Sequence, residues 1–117
     1  MRMVELRFAA AIIVMGGIVA VLGAGHAAAA GDIKAGRQKA LQCQTCHGLD
    51  GQAKLPEAPN LAGQSSIYLI KALKDYRSGA RKNDMMSLVA PGLKDDDIAD
   101  LAAYYAAIAV TVGPPPR

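Results

Sequence analysis

Apolar and polar positions divide this chain into two unlike parts. Residues 1–30 form an almost unbroken apolar run, whereas the remainder mixes apolar and polar positions as a small soluble domain does. In that remainder, three stretches carry helical periodicity. The first covers about Ile33 to Leu41, with Asp32 placed to cap its free backbone N–H groups. Gly36 inside it is unfavourable for a helix, and is either a tolerated weak spot or a place where another helix crosses closely. The second covers about Ser66 to Ser78. Its Ile67, Ile70, Leu73 and Tyr76 recur every three residues, and Leu69 and Ala72 broaden the face. Ser65 or Ser66 suits its start and Gly79 its stop. The third covers about Asp95 to Ala109, with Ile98, Leu101, Ala102, Tyr105 and Ile108 on one face. Asp95, Asp96 and Asp97 fall in its first turn, where the helix dipole favours negative charge, so the acidic run reads as a helix start and not a metal site. Residues 48–63, rich in glycine and proline, read as loop, and Gly113-Pro114-Pro115-Pro116 reads as a non-helical tail. The pattern predicts a single all-α domain.

The apolar N-terminus has the layout of a secretory signal peptide. Arg2 and Arg7 make a basic start, Phe8 to Leu22 carries no charge, and Ala27-Ala28-Ala29-Ala30 offers a small-x-small cleavage site. Cleavage after Ala30 leaves a domain of residues 31–117; cuts after Ala27 or Ala29 fit equally. An uncleaved anchor is the competing reading, and the alanine run favours cleavage. Loss of Arg2, Arg7 and Glu5 turns thirteen basic and ten acidic residues into eleven and nine, a side-chain balance of +2. With no basic cluster interleaved with aromatics, this charge carries no nucleic-acid signal.

The two cysteines of the chain both lie in Cys43-Gln44-Thr45-Cys46-His47. Cys-x-x-Cys-His is the attachment signature of c-type haem. Each thiol adds to one haem vinyl group, and the adjacent histidine is placed as the proximal iron ligand. Attachment after export agrees with the leader. A thioredoxin-like dithiol would follow a strand, and the pattern contains none. A zinc site would need a second Cys or His pair. A disulfide across two intervening residues would staple little chain.

Loss of His26 with the leader makes His47 the one histidine of the mature chain, which excludes bis-histidine ligation within it. The mature methionines are Met85 and Met86, and thioether ligation is a known completion of haem c. Methionines more often fill core space, but here an iron needs a ligand and two sulfurs are on offer; an open or Lys-ligated iron is the competing reading. Arg77, Arg81 and Lys82 form a basic stretch that reads as solvated surface, as neutralisers of haem propionates, or as a docking rim.

The chain resembles the small class I cytochromes c, particularly the cytochrome c4 and c553 kind. The resemblance covers essentially residues 31–112. It rests on Cys43 to Gly48, on Ala58-Pro59-Asn60-Leu61-Ala62-Gly63-Gln64, on Asn83-Asp84-Met85-Met86, and on Ile98 to Tyr105. It implies an all-α class I cytochrome c fold, three main helices around one covalent haem, with the terminal helices crossing near Gly36 and Tyr104 or Tyr105. It implies that the Pro59 carbonyl accepts a hydrogen bond from His47. It also implies a choice between the methionines: the ligand stands seven residues before the leucine that precedes the last helix, which from Leu93 gives Met86, with Met85 as fallback. Two features depart from the family. Cytochromes of the c4 kind usually carry two haem domains, and this chain has one motif. A serine or threonine often caps the last helix, where this chain has Lys94, so Asp95 is expected to cap instead.

These readings make the chain a periplasmic electron carrier whose haem iron cycles between Fe(II) and Fe(III), with redox proteins as partners and no membrane span after cleavage. The alternative is a fixed haem c subunit of a periplasmic dehydrogenase or oxidase complex. A peroxidase-type enzyme would need acid–base groups at an open iron, and the mature chain has no second histidine for that work.

Overall fold

Helices begin in this chain where a side chain or a backbone turn satisfies the free N–H groups of the first turn. The computed structural model describes residues 30–116. The expected leader lies outside the described residues, apart from Ala30. Asp32 accepts the Ala35 N–H at 2.6 Å and opens α1, Ile33–Lys39. The chain then tightens into a 3₁₀ turn, Ala40–Gln42, instead of continuing α-helically to Leu41. A four-residue helix, α2 (Gln44–His47), follows and contains most of the haem-attachment motif. Ser65 accepts the Tyr68 N–H and opens α3, Ser66–Ser78, which stops at Gly79 in the left-handed conformation. A short α4, Met86–Val89, leads into a second 3₁₀ turn, Ala90–Gly92. The last helix, α5, spans Asp95–Ala106. The described residues contain no strand, as the periodicity predicts.

Three details differ from the sequence expectations. Ile67 belongs to the three-residue series on α3, yet it is 79% exposed. Each three-residue step falls about 60° short of a full helical turn, so the series spirals around the helix rather than along one face. Leu69, which lies outside the series, is the buried residue of the helix, and Ile70 and Leu73 pack against the core beside it. Second, α5 ends three residues early. The Tyr105 carbonyl accepts N–H groups from both Gly63 and Ile108, which closes the helix with a tight turn. Third, Asp95 does not cap α5. Lys94 occupies the cap position with extended backbone, its N–H donates to Asp97 Oδ2 at 2.9 Å, and Asp95 already lies inside the first turn, bound to Arg77. Lysine cannot accept an N–H bond, so only half of a capping box forms here.

The core gathers Ala40, Leu69, Leu93, Ile98, Leu101, Ala102 and Tyr105. It draws on α3, α5 and the turn after α1, because α1 and α3 both pack on α5. The α1–α5 crossing is close. A Cβ at Gly36 would run into the Asp100 carbonyl and lie 2.7 Å from Tyr104 Cβ. Gly36 is thus the open position where a helix crosses. Side chains then lock the crossing. Asp100 Oδ1 accepts the Asp32 N–H at 2.7 Å, and Lys39 Nζ meets Asp100 at 2.6 Å and Asp97 at 2.9 Å. The hydrogen bond to Lys39 holds the carboxyls of Asp97 and Asp100 below the usual carboxylate range.

Two outcomes are expected. Gly36→Ala in the haem-loaded protein lowers unfolding stability in guanidinium titrations by about 1–3 kcal/mol, the usual overpacking cost. Helix propensity alone would raise it by up to about 1 kcal/mol, so a stabilised variant contradicts the crossing. Because the folded pKa values of Asp97 and Asp100 lie below their unfolded values, the clamp contributes fully above the ordinary carboxylate range. Its contribution disappears as pH falls through the lowered values. Lys39→Met should therefore cost thermal stability at pH 7 and cost progressively less towards pH 2; a constant deficit across that range contradicts the assignment.

Candidate functional site

The turn Ala40–Gln42 delivers Cys43 to the start of α2, and one helical turn places Cys46 and His47 beyond it. Cys43 and Cys46 are half-buried free thiols, and His47 is 8% exposed. Burial, with the neighbouring Cys46 charge adding to it, pushes the Cys43 thiol up to about 11.

The His47 ring is oriented from its far side. Its Nδ1 lies 2.9 Å from the Pro59 carbonyl oxygen. A carbonyl only accepts, so Nδ1 carries the proton and donates, and Nε2 keeps its lone pair for another partner. The loop that brings Pro59 there is itself tied down. Asn60 Oδ1 accepts the Ala53 N–H at 2.7 Å, Leu61 and Ala62 both donate to the Gly51 carbonyl, and Lys54 N–H donates to the Cys46 carbonyl. From the opposite side, Tyr104 Oη donates to the Leu49 carbonyl at 2.6 Å and Tyr105 Oη to the Gly48 carbonyl at 3.2 Å. The stretch after the motif is thereby bound to α5.

Cys43, Cys46 and His47 line a cavity of about 860 Å³. Its other walls are mostly apolar, including Leu55, Pro59, Leu61, Leu69, Leu73, Val89, Leu93 and Leu101. Met85 and Met86 both reach it from the segment before and within α4. Asn83 Oδ1 accepts the N–H groups of both methionines, at 3.1 and 3.0 Å, and fixes their backbone. Met85 is 57% exposed, whereas Met86 is half-buried. The Asn83 cap has the motif Asn-x-x-x-Ser, since the Asn83 N–H meets Ser87 Oγ at 3.0 Å; the sequence reading did not single it out. The acidic run of α5 lies elsewhere and serves ion pairs, and no group of three or more metal-ligating His, Cys, Asp or Glu side chains occurs among the described residues.

Two thiols, an imidazole with one nitrogen already committed, two thioethers and an apolar enclosure form a donor set that fits haem c. The cytochrome c family model matches residues 33–107. The chain belongs to the cytochrome c family. It is 52% identical over 79 residues to cytochrome c-554(548) of Halomonas halodenitrificans, covering 65% of this chain and 95% of that one. It is 45% identical over 89 residues to cytochrome c4 of Pseudomonas aeruginosa, covering 76% of this chain and 44% of that one. The crystal structure of reduced recombinant cytochrome c4 from Pseudomonas stutzeri superposes with a TM-score of 0.65 at 39% identity, covering 72% of this chain and 49% of that one. The chain thus spans about half the length of its cytochrome c4 relatives and nearly all of cytochrome c-554(548). Family membership brings a covalent haem c with iron, and electron transfer rather than catalysis.

The tyrosine tether gives an expected outcome. Tyr105 is buried, and Tyr105→Phe leaves the Gly48 carbonyl without its donor, at a cost of about 1–3 kcal/mol in unfolding free energy. An unchanged midpoint of denaturation would show that the hydroxyl does not hold the motif.

Proposed function

We propose that residues 31–117 are an exported, periplasmic monohaem carrier and that residues 1–30 are its cleaved leader. In this reading Cys43 and Cys46 hold the haem by thioethers, His47 ligates iron through Nε2, Met86 is the distal ligand with Met85 as fallback, and the Pro59 carbonyl orients His47. The observation that carries it is the convergence on one apolar cavity of Cys43, Cys46 and His47 from α2 with Met86 from α4. The half-burial of Met86 beside the exposed Met85 favours Met86.

When bound, haem c supplies a one-electron Fe(III)/Fe(II) couple, and methionine ligation raises its potential relative to bis-histidine. The chain's own residues do the rest. The Pro59 bond fixes the His47 tautomer and ring angle and raises its basicity. The apolar walls exclude water. The Pro59 bond to His47 and the Asn83 bonds to the methionine backbone would hold these groups in place for either charge state of a bound haem. No helix among the described residues is long and apolar enough to cross a membrane. Its partners are redox proteins that dock briefly through small interfaces.

A second reading keeps the same haem but fixes the chain in a periplasmic dehydrogenase or oxidase complex. It is favoured by a likeness to a protein named as a thiosulfate dehydrogenase electron acceptor in Stutzerimonas stutzeri, 40% identical over 68 residues but matched over 32% of that protein's length. Stable co-purification with a larger enzyme supports this second reading, and a monomer exchanging electrons with several partners supports the first.

The ligand assignment is tested by the far-red charge-transfer band of methionine–iron(III) ligation. Met86→Ala abolishes the band in the oxidised protein and Met85→Ala leaves it in place. The reverse result moves the ligand to Met85, and a band that survives both substitutions overturns methionine ligation.

A further inference from the structure

The cavity wall carries three charged side chains, Glu57, Arg81 and Asp84. Arg81 is the one cation among them, and haem c brings two carboxylates of its own, the propionates. The guanidinium is held by neutral groups. Its central carbon lies 4.7 Å from the centre of the Tyr76 ring, and Nη1 donates to Tyr68 Oη at 3.4 Å. Both tyrosines line the same cavity. The Arg81 backbone N–H donates to the Asp75 carbonyl at 3.0 Å, which fixes the root of the side chain.

None of these contacts neutralises the charge. Among the described residues no carboxylate forms a salt bridge with Arg81. Arg77, four residues earlier, is used differently: it meets Asp95 at 2.6 Å and donates to the Leu93 carbonyl at 3.1 Å. A guanidinium has five N–H donors, and the Tyr68 contact takes one. An arginine steadied by two rings, with free donors, and the one charged cation on a mostly apolar wall, suits a planar carboxylate approached as a fork.

We infer that Arg81 is the propionate-binding residue of this cavity and that its charge holds the haem reduction potential up. The inference rests on the haem site of the preceding subsection. An uncompensated carboxylate near the iron favours the more positive Fe(III) state. A cation paired with that carboxylate removes the bias; Arg81 is exposed at the rim of the cavity, so the solvent screens part of the effect. Arg81 is a positioning and tuning residue; iron ligation stays with other side chains.

Redox titration of the exported, haem-loaded protein tests this with Arg81→Gln, Arg81→Lys and Lys82→Gln. Lys82 is exposed and lies outside this cavity wall, so Lys82→Gln removes the same charge from the next position. At a fixed poise near the wild-type midpoint, R81Q should raise the oxidised-to-reduced ratio by about three- to tenfold, tenfold corresponding to 59 mV for a one-electron couple. R81K should fall between R81Q and wild type, and K82Q should stay within about twofold of wild type, since Lys82 lies off the cavity wall and its unpaired charge is screened. An R81Q ratio no different from that of K82Q overturns the inference. If R81Q does not accumulate with haem, R81K decides. Exchange of a fork for a point charge should shift the propionate-bending band of its resonance Raman spectrum, and a wild-type band overturns the inference. Wild-type protein exported without covalent haem overturns the haem site itself, and this inference with it.

Discussion

The close crossing of α1 over α5 at Gly36 is the contact on which the rest of the molecule hangs. A glycine there lets the two backbones approach to a distance that any side chain would forbid. Lys39, Asp97 and Asp100 then fix the crossing angle from outside, and Asp100 also receives the backbone of Asp32. The chain leaves α1 through a short 3₁₀ turn, so the position of the crossing sets the position of Cys43, Cys46 and His47. The same α5 supplies Tyr104 and Tyr105, whose hydroxyls take up the carbonyls just after the motif. One helix thus holds the attachment segment at both of its ends.

Around that frame the chain makes a cavity rather than a filled core. Its walls come from the proximal loop, α3, α4 and α5, and its apolar character suits a large planar cofactor. Polar contacts at the wall are few and each has a definite direction. The Pro59 carbonyl turns His47, the Asn83 side chain caps the methionine segment, and two tyrosines steady Arg81. Such a wall offers a redox centre a mostly apolar enclosure with its few polar groups already committed. Those are the properties that an electron carrier needs and that an enzyme, with proton donors and a substrate site, does not require.

Much of this was legible in the sequence. The haem motif is a local covalent signature, and its reading needed no tertiary knowledge. The long helices announced themselves through caps and apolar faces, and the resemblance placed Gly36 against Tyr104 or Tyr105, of which Tyr104 meets it, and Pro59 near His47, where the hydrogen bond is seen. The short helices α2 and α4 and the two 3₁₀ turns were not legible, because three or four residues are too few to show a period. Ile67 was misplaced because a three-residue series does not follow one face of a 3.6-residue helix. The early end of α5 depends on Gly63, more than forty residues away in the chain, which takes the Tyr105 carbonyl. No local pattern could reveal that bond, nor the separate duties of Arg77 and Arg81.

The central claim is that Cys43 and Cys46 hold one haem covalently in an exported domain. The intact mass of the denatured protein, recovered from the periplasm, tests it most directly. The recovered chain should begin after the alanine run and carry the mass of a single haem, with the added mass absent in a Cys43→Ala, Cys46→Ala variant. A recovered chain at its bare polypeptide mass, with two free thiols or one disulfide, would contradict it.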